Sequence, residues 1–133
     1  MGCNIADMKR FLLLFIITTF AFATTINVPA DYSTIQGGIG AASNGDTVLV
    51  SAGTYFENIF WPDVNGIILI GSGQNTVING NSNGTVLYMN PQTAEIDSTT
   101  IIKNLKVTNG NDTNGGGLFL SNCEPYIDNI IVD

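Results

Sequence analysis

Few residues in this chain are of the types that carry out most enzymatic chemistry. The sequence contains no histidine, and its one arginine, Arg10, lies beside Lys9 at the start of an apolar N-terminal run. Histidine is the usual general base of catalytic triads and a frequent zinc ligand. Triads and histidine-based metal sites are therefore excluded within this sequence, and we predict no catalytic, cofactor-binding or metal-binding residue.

Two loops have the composition of ligand sites, and each has a simpler interpretation. Residues 71–76, Gly-Ser-Gly-Gln-Asn-Thr, resemble a phosphate-binding glycine loop, but the third glycine and the surrounding βαβ unit are missing. Residues 109–114 offer oxygen ligands for calcium, yet Asp112 is their only carboxylate. We predict a turn between strands for the first and a solvated loop for the second. No cofactor is expected, with calcium at Asp112 as the alternative.

Lys103 and Lys106 could supply the base of a polysaccharide lyase. They lie three residues apart, a spacing that puts side chains on opposite faces of a strand unless the asparagine between them forms a turn. We therefore predict solvated charges rather than a catalytic pair.

Aromatic residues offer a different chemistry, the stacking of rings on sugars. A sugar-binding platform would form if several of them pointed outward, whereas core packing is the usual role of such residues. The candidates are Tyr55, Phe60, Trp61, Tyr88 and Tyr126.

A repeated asparagine pattern indicates the framework that must position these residues. An apolar residue, any residue, Asn, apolar, any and apolar occur in that order at residues 56–61, 102–107 and 127–132. The last two copies start 25 residues apart, and the first two are separated by about twice that distance. Repeats of this length built from short strands are typical of solenoids. We predict an all-β fold: a right-handed, single-stranded parallel β-helix of about four coils.

The repeated asparagines are expected to stack. Equivalent residues of successive coils lie about 4.8 Å apart, so Asn58, Asn104 and Asn129 could form a ladder of amide hydrogen bonds. Gly80 takes this place in the second coil, where it would supply the same left-handed backbone. A binding row of asparagines is the alternative. The next residues, Ile59, Leu105 and Ile130, would then stack inside.

Other segments predict the strands and a cap. Residues 24–28 form an opening strand, and residues 33–42 a short amphipathic helix that covers the open end of the first coil, with Ser33 as N-cap and Gly45 as its stop. Residues 48–51 and 68–71 are related by an offset of 20 residues, and residues 86–89 and 118–120 look like the same strand in later coils. Turn-forming clusters separate them at residues 63–66, 80–84 and 109–115.

The N-terminal residues have a pattern that is typical of a signal peptide. Lys9 and Arg10 precede an apolar run from Phe11 to Phe20, followed by an Ala-x-Ala cleavage site. We predict a signal peptide over 1–23, with Met8 as a second candidate start. An uncleaved anchor is the alternative. The run is short for a membrane span, so no stable span is expected after cleavage, and the protein should be secreted or on the cell surface.

The charge of the remaining chain limits the classes of partner that it can bind. After Ala23 there are two lysines and ten acidic residues, a net charge of −8. Nucleic-acid binding is not expected, because no basic patch could neutralise phosphates.

Cys123 is the only cysteine left after residue 23. No internal disulfide can therefore form, and we predict that Cys123 fills a small apolar space.

Turn and stacking motifs occur at residues 34–36, 45–48, 53–55, 57–59 and 71–73, and further ones at 115–118 and 121–129. In these motifs about three quarters of the chain resembles right-handed parallel β-helix proteins of the pectin lyase-like superfamily, and the last two segments are similar to bacterial surface repeats. That superfamily includes pectinesterases, polysaccharide lyases and surface proteins of unassigned function. Because the motifs are turns and stacking positions, they indicate the fold and not an activity.

Two functions follow from this resemblance. The first is an exported structural or binding module that takes polysaccharide as its partner. The second is the N-terminal piece of a pectinesterase- or pectate lyase-like enzyme whose active site lies beyond Asp133. In both, residues 24–133 are the N-terminal part of a β-helix domain, and further coils of the same protein are expected.

Overall fold

The computed structural model describes residues 21–133, so nearly all of the predicted signal peptide lies outside the described residues. One short helix, α1 (Ile35–Ala41), and ten strands form this part of the chain. The strands are β1 (Thr25–Val28), β2 (Thr47–Val50), β3 (Gly53–Phe56), β4 (Ile59–Phe60), β5 (Ile68–Gly71), β6 (Thr76–Asn79), β7 (Leu87–Met89), β8 (Ile101–Thr108), β9 (Leu118–Leu120) and β10 (Tyr126–Val132). No helix within residues 21–133 combines the length and the apolar character that a membrane crossing needs.

All the paired strands run parallel, as in a solenoid. One sheet has the order β1-β2-β5-β8-β6-β3, with β10 added beside β8, and a second sheet has the order β4-β7-β9. Strands β8 and β10 bend in the middle, so β8 pairs with β5 through its first half and with β6 through its second. The predicted parallel β-solenoid of about four turns is confirmed.

The register corrects two details of the predicted strand alignment. Thr47, and not Val48, pairs with Ile68, so the offset is one residue longer than predicted. Leu87 does pair with Leu118, but its partner in the preceding coil is Ile59 of β4. Strands β7 and β9 therefore belong to the second sheet, because the coils differ in length and similar apolar segments need not stack.

The core is the apolar interior of the solenoid. Buried residues alternate with more exposed ones along β1, β2, β5, β6 and β7, as the period of two requires. The fully buried side chains are mostly branched aliphatic residues, which pack well on a pleated surface. They include Val28, Val48, Ile59, Leu69, Ile78, Leu87, Ile102 and Leu105.

Helix α1 covers the end of the core at β1, as predicted. Its residues Ile35, Gly38 and Ile39 are buried, and a Cβ on Gly38 would lie 3.0 Å from a methyl group of Val28. Close packing of the helix on the first coil therefore compensates for the low helix propensity of its glycines.

The helix boundaries differ from the predicted ones. Thr34, and not Ser33, is the N-cap, because its hydroxyl accepts a hydrogen bond from the Gly37 N–H at 3.0 Å. The helix ends at Ala41, with Ala42 as its C-cap, rather than at Gly45. Gly45 instead lies in the turn before β2, with a φ of +89°. The prediction failed at the C-terminus because a positive-φ glycine marks a turn here and not a helix stop.

The asparagine ladder is confirmed for two of its three members. The side-chain Nδ2 of Asn129 donates to Oδ1 of Asn104 at 2.9 Å, and both residues have a left-handed backbone, with φ values of 49° and 58°. This conformation turns the chain from one face of the solenoid to the next. Leu105 is buried beside it and pairs with the half-buried Ile130.

Asn58 and Gly80 were wrongly assigned to this ladder. Asn58 lies at the other corner, between β3 and β4, where its Nδ2 donates to the carbonyl oxygens of Asn83 and Thr85. Gly80 lies beside Asn109, whose carbonyl oxygen would be 2.9 Å from an added Cβ. In the coil before Asn104, the corner position belongs to Gly71, which contacts the Asn104 carbonyl oxygen.

Candidate functional site

The outer face of the second sheet carries a row of three aromatic residues. Phe60 pairs with Tyr88, and Tyr88 pairs with Phe119, in the registers of β4, β7 and β9. The residue before each of them is apolar and points into the core, so the aromatic side chains point outward. Two of the five aromatic residues considered in the sequence, Phe60 and Tyr88, thus come together, and Phe119 joins them.

The three rings are not equivalent. Tyr88 and Phe119 are stacked nearly parallel, with centroids 4.9 Å apart and an interplanar angle of 5°. Each covers a face of the other. Phe60 is tilted by 50° relative to Tyr88, with centroids 5.8 Å apart, and remains 62% exposed. The tilt leaves ring surface of Phe60 open to a ligand.

The other three aromatic candidates do not join this row. Trp61 follows Phe60 but is buried in the core, and its indole N–H has no hydrogen-bond partner among the described residues. Tyr55 is half-buried and donates its hydroxyl to the Ser51 carbonyl. Tyr126 is 52% exposed, but it begins β10 in the other sheet. Of the five candidates, Phe60 and Tyr88 are therefore the two that share one outer face of the solenoid.

A groove of about 350 Å³ lies beside the tilted pair of rings. We call it the aromatic groove. Its polar lining consists of two asparagines, a threonine and one aspartate from the neighbouring turns, and the residues that matter for its chemistry are Asn58, Phe60, Asn83, Thr85, Tyr88 and Asp112. Such a combination of aromatic surface with a few polar groups is typical of small-molecule sites.

The polar groups of the groove are held by the two turns that form its wall. Nδ2 of Asn58 is occupied by two backbone carbonyls, so its Oδ1 is the free end of that amide. The Thr85 hydroxyl donates to the Gly115 carbonyl at 2.9 Å. Asp112 accepts the Asn114 N–H at 2.8 Å. These bonds orient the side chains without a ligand.

A second set of amides borders the rings on the other side. Nδ2 of Asn90 donates to the Tyr88 hydroxyl at 3.2 Å, and Nδ2 of Asn122 donates to Oδ1 of Asn90 at 3.3 Å. The Tyr88 hydroxyl accepts in this chain, so its own proton is available to a ligand. The aromatic row is thus flanked by amide and hydroxyl groups.

The glycine-rich segment 71–76 is a turn between β5 and β6, as predicted. The Ser72 N–H donates to the Thr76 hydroxyl at 2.8 Å, and the Thr76 N–H donates to the Gly73 carbonyl at 2.9 Å. The turn uses these backbone donors itself, and no helix follows it to add the favourable dipole of a phosphate site.

The segment 109–114 is tied to the turn at residues 80–84. Asn111 forms a β-bridge with Gly84, and the Ser82 N–H donates to the Asn109 carbonyl. Within residues 21–133, no group of three or more His, Cys, Asp or Glu side chains could hold a metal ion.

Lys103 and Lys106 both point outward, because Asn104 between them has the left-handed backbone of the turn that was named above as the exception to opposite faces. Ile102, Leu105 and Val107 are buried around them, because the left-handed backbone at Asn104 shifts the alternation by one residue. Lys106 forms an ion pair with Asp133 at 2.7 Å. Both lysines lie on β8, in the sheet that does not carry the aromatic groove.

Several carboxylates outside the groove have structural partners. Hydrogen bonds from the Ser43 and Thr24 N–H groups lower the pKa of Asp46. The Thr93 hydroxyl and the Ala94 N–H, with further backbone donors, lower the pKa of Asp63. Asp63 thereby ties the long loop after β7 to the preceding coil.

A second cavity, of about 500 Å³, lies near the bridge between Ile96 and Cys123. Cys123 is half-buried against the core, as predicted for an apolar filler, and burial raises the pKa of its thiol. The polar lining is mainly acidic, from Glu95, Asp97 and Glu124, and the cavity lacks the exposed aromatic surface of the groove.

Comparison with known proteins identifies no relative. No protein-family model matches this chain, and no curated protein or solved structure matches it. Function must therefore be inferred from the geometry of the chain itself, and the aromatic groove is the candidate site that combines exposed aromatic surface with polar side chains.

Proposed function

We propose that this chain is an exported, non-catalytic β-solenoid module that binds polysaccharide through the aromatic groove. The observation that carries the proposal is the open, tilted ring of Phe60 beside Tyr88, with amide and hydroxyl groups at its border. A sugar ring has C–H groups on its faces and hydroxyls around its edge. Aromatic surface and neighbouring amides are complementary to these two features.

The groove contains too few acidic groups for glycoside hydrolysis. Most glycosidases use a pair of carboxyl groups roughly 5–9.5 Å apart. Asp112 is the one carboxylate among the residues that line the groove. A binding role for this site is therefore favoured over a hydrolytic one.

Family and location form part of the same proposal. The parallel solenoid with left-handed asparagines at a corner supports membership of the pectin lyase-like superfamily. The basic and apolar N-terminal segment supports secretion or surface display after removal of residues 1–23. The alternative, an enzyme with its active site beyond Asp133, uses the same solenoid as a scaffold.

The proposal is tested by glycan retention. The full chain, secreted by an expression host, is run through native gels that contain neutral glucan, mannan or xylan. We expect retardation in at least one gel. Phe60→Ala should weaken it about tenfold through the lost ring contact, while Phe56→Ala should not, since Phe56 is equally exposed at 69% but lies on the other sheet.

Two results would contradict the proposal. Migration unaffected by any polysaccharide would exclude binding, and equal retardation of the two variants would place binding outside the groove. Release of reducing ends or methanol from pectin by the same preparation would instead support the enzyme alternative. Both variants remove exposed side chains, so their thermal melting should match that of the unaltered chain.

A further inference from the structure

The charge of the groove limits the glycans that it can accept. Asp112 is the single charged residue in the lining of the aromatic groove, and no lysine or arginine accompanies it. The lysines of residues 21–133, Lys103 and Lys106, lie on β8 in the other sheet, and Lys106 is paired with Asp133. A carboxylate-bearing sugar in the groove would therefore meet a negative charge without a compensating positive one.

Asp112 is held in place at the rim of the groove. Its carboxylate accepts the Asn114 N–H at 2.8 Å. The neighbouring Asn111 donates its N–H to the Gly84 carbonyl at 2.8 Å, which fixes the segment against the opposite turn. The carboxylate is thus held at a fixed place in the lining of the groove.

We propose that the aromatic groove selects uncharged glycans and that Asp112 is the residue that rejects uronates. This inference rests on the proposed function and adds the class of ligand to it. Two like charges a few ångströms apart repel appreciably even when partly exposed to water, whereas a neutral sugar hydroxyl can donate a hydrogen bond to the same carboxylate. The polyuronates bound by many pectin-active proteins are therefore poor ligands for this site.

Matched pairs of glycans test this inference. The probes are β-1,4-linked glucose and mannose hexasaccharides, their derivatives oxidised to carboxylates at C6, hexagalacturonate, and its methyl ester. Binding to the full chain is measured by calorimetry at low salt. We expect each uncharged member to bind at least about fivefold more tightly than its charged partner, and the ratio to shrink in about 1 M salt because screening shortens the range of the repulsion.

Two variants test whether Asp112 causes the difference in affinity between charged and uncharged glycans. Asp112→Asn keeps an oxygen for the Asn114 N–H but removes the charge. The affinities for charged and uncharged ligands should then lie within about twofold of each other. Asp128→Asn makes the same charge change on β10, in the other sheet, and should leave the ratio unchanged.

The outcomes separate this inference from the proposed function. Equal or tighter binding of the uronates, or an unchanged ratio in Asp112→Asn, would overturn the inference while leaving glycan binding intact. A chain that binds none of the probes, charged or uncharged, would overturn both. Loss of selectivity in Asp128→Asn to the same degree would show that net charge, and not Asp112, is responsible.

Discussion

The side-chain amide of Gln36 forms with Phe60 the two hydrogen bonds that a neighbouring strand would form. The Phe60 N–H donates to Oε1 of Gln36 at 2.7 Å, and Nε2 of Gln36 donates to the Phe60 carbonyl at 3.0 Å. A side-chain amide has the same donor and acceptor as a peptide group. Helix α1 thereby satisfies the free edge of β4 and fixes the strand that carries the most exposed ring of the aromatic groove.

Replacing this amide should destabilise the first coil. Gln36→Ala removes both hydrogen bonds, and we expect the free energy of unfolding to fall by about 1–2 kcal/mol. Urea denaturation would measure the change. Gln74→Ala, at an exposed position of the turn between β5 and β6, serves as the control and should have little effect. A similar loss in the two variants would mean that the pairing with Phe60 contributes no stability.

The corner formed by Asn104 separates two effects of asparagine, its backbone conformation and its side-chain bond to Asn129. Asn104→Asp keeps an acceptor oxygen and tolerates a positive φ, so it should lower the free energy of unfolding least. Asn104→Gly keeps the backbone conformation but loses the bond, at about 1 kcal/mol. Asn104→Ala loses the bond and strains the left-handed backbone, at about 2 kcal/mol or more. Chemical denaturation of the three variants should give this order, and an alanine variant as stable as the glycine variant would refute it.

Gly71 should accept no larger residue. A Cβ at this position would meet the Asn104 carbonyl oxygen of the next coil and lie 2.9 Å from the Leu105 Cβ. Because backbone cannot rotate away as a side chain can, Gly71→Ala should lower stability by about 3 kcal/mol. Gly40→Ala is the matched control: an added Cβ there has open space, so helix propensity should raise stability by about 1 kcal/mol. Thermal melting of the two variants should shift in opposite directions.

Acid should unfold the protein through its hydrogen-bonded carboxylates. In the folded chain the pKa values of Asp46 and Asp63 lie below the ordinary value of 3.8. Stability from these groups is therefore fully present above pH 3.8 and is lost as the pH falls through the lower, folded-state values. Melting temperature, measured by circular dichroism, should fall steeply in this range.

A charge-removing variant tests the source of this pH dependence. Asp46→Asn replaces one of the two oxygens that accept the Thr24 and Ser43 N–H groups. The variant should be less stable than the unaltered chain near neutral pH and should lose less stability on acidification. An unchanged acid profile would assign the pH dependence to other carboxylates.

Local patterns predicted the architecture well because they report on local physics. The repeated asparagine pattern, with short strands between turn clusters, led to a parallel solenoid, and the amphipathic segment led to the cap. The N-cap was misplaced by one position because Ser33 and Thr34 are adjacent and are both suitable for that role.

Stacking between coils was predicted less well, since it depends on coil length. Asn58 and Asn104 occur in the same local pattern, yet one lies at the corner after β3 and the other at the bend within β8. Of these two residues, Asn104 has a positive φ and Asn58 does not. The surrounding residue types do not specify this difference.

The third ring of the aromatic row was missed although a signal was present. Phe60, Tyr88 and Phe119 each follow an aliphatic residue and precede an apolar one. Aligning these three short segments with one another would have placed the rings in register. The segments of Tyr88 and Phe119 were instead aligned with β2 and β5, because those strands have a similar apolar character.

Strands and turns contribute different parts of the groove, and this affects how the protein can change over evolution. Strand residues supply the aromatic floor of the groove, whereas the turns at residues 80–84 and 109–114 supply much of its polar wall. Substitutions in the turns can alter ligand preference without disturbing the buried stacks that hold the coils together. Under the proposed function, lineages that share this scaffold could therefore diverge in the glycans they recognise, and a library restricted to these two turns would be a small starting point for directed evolution.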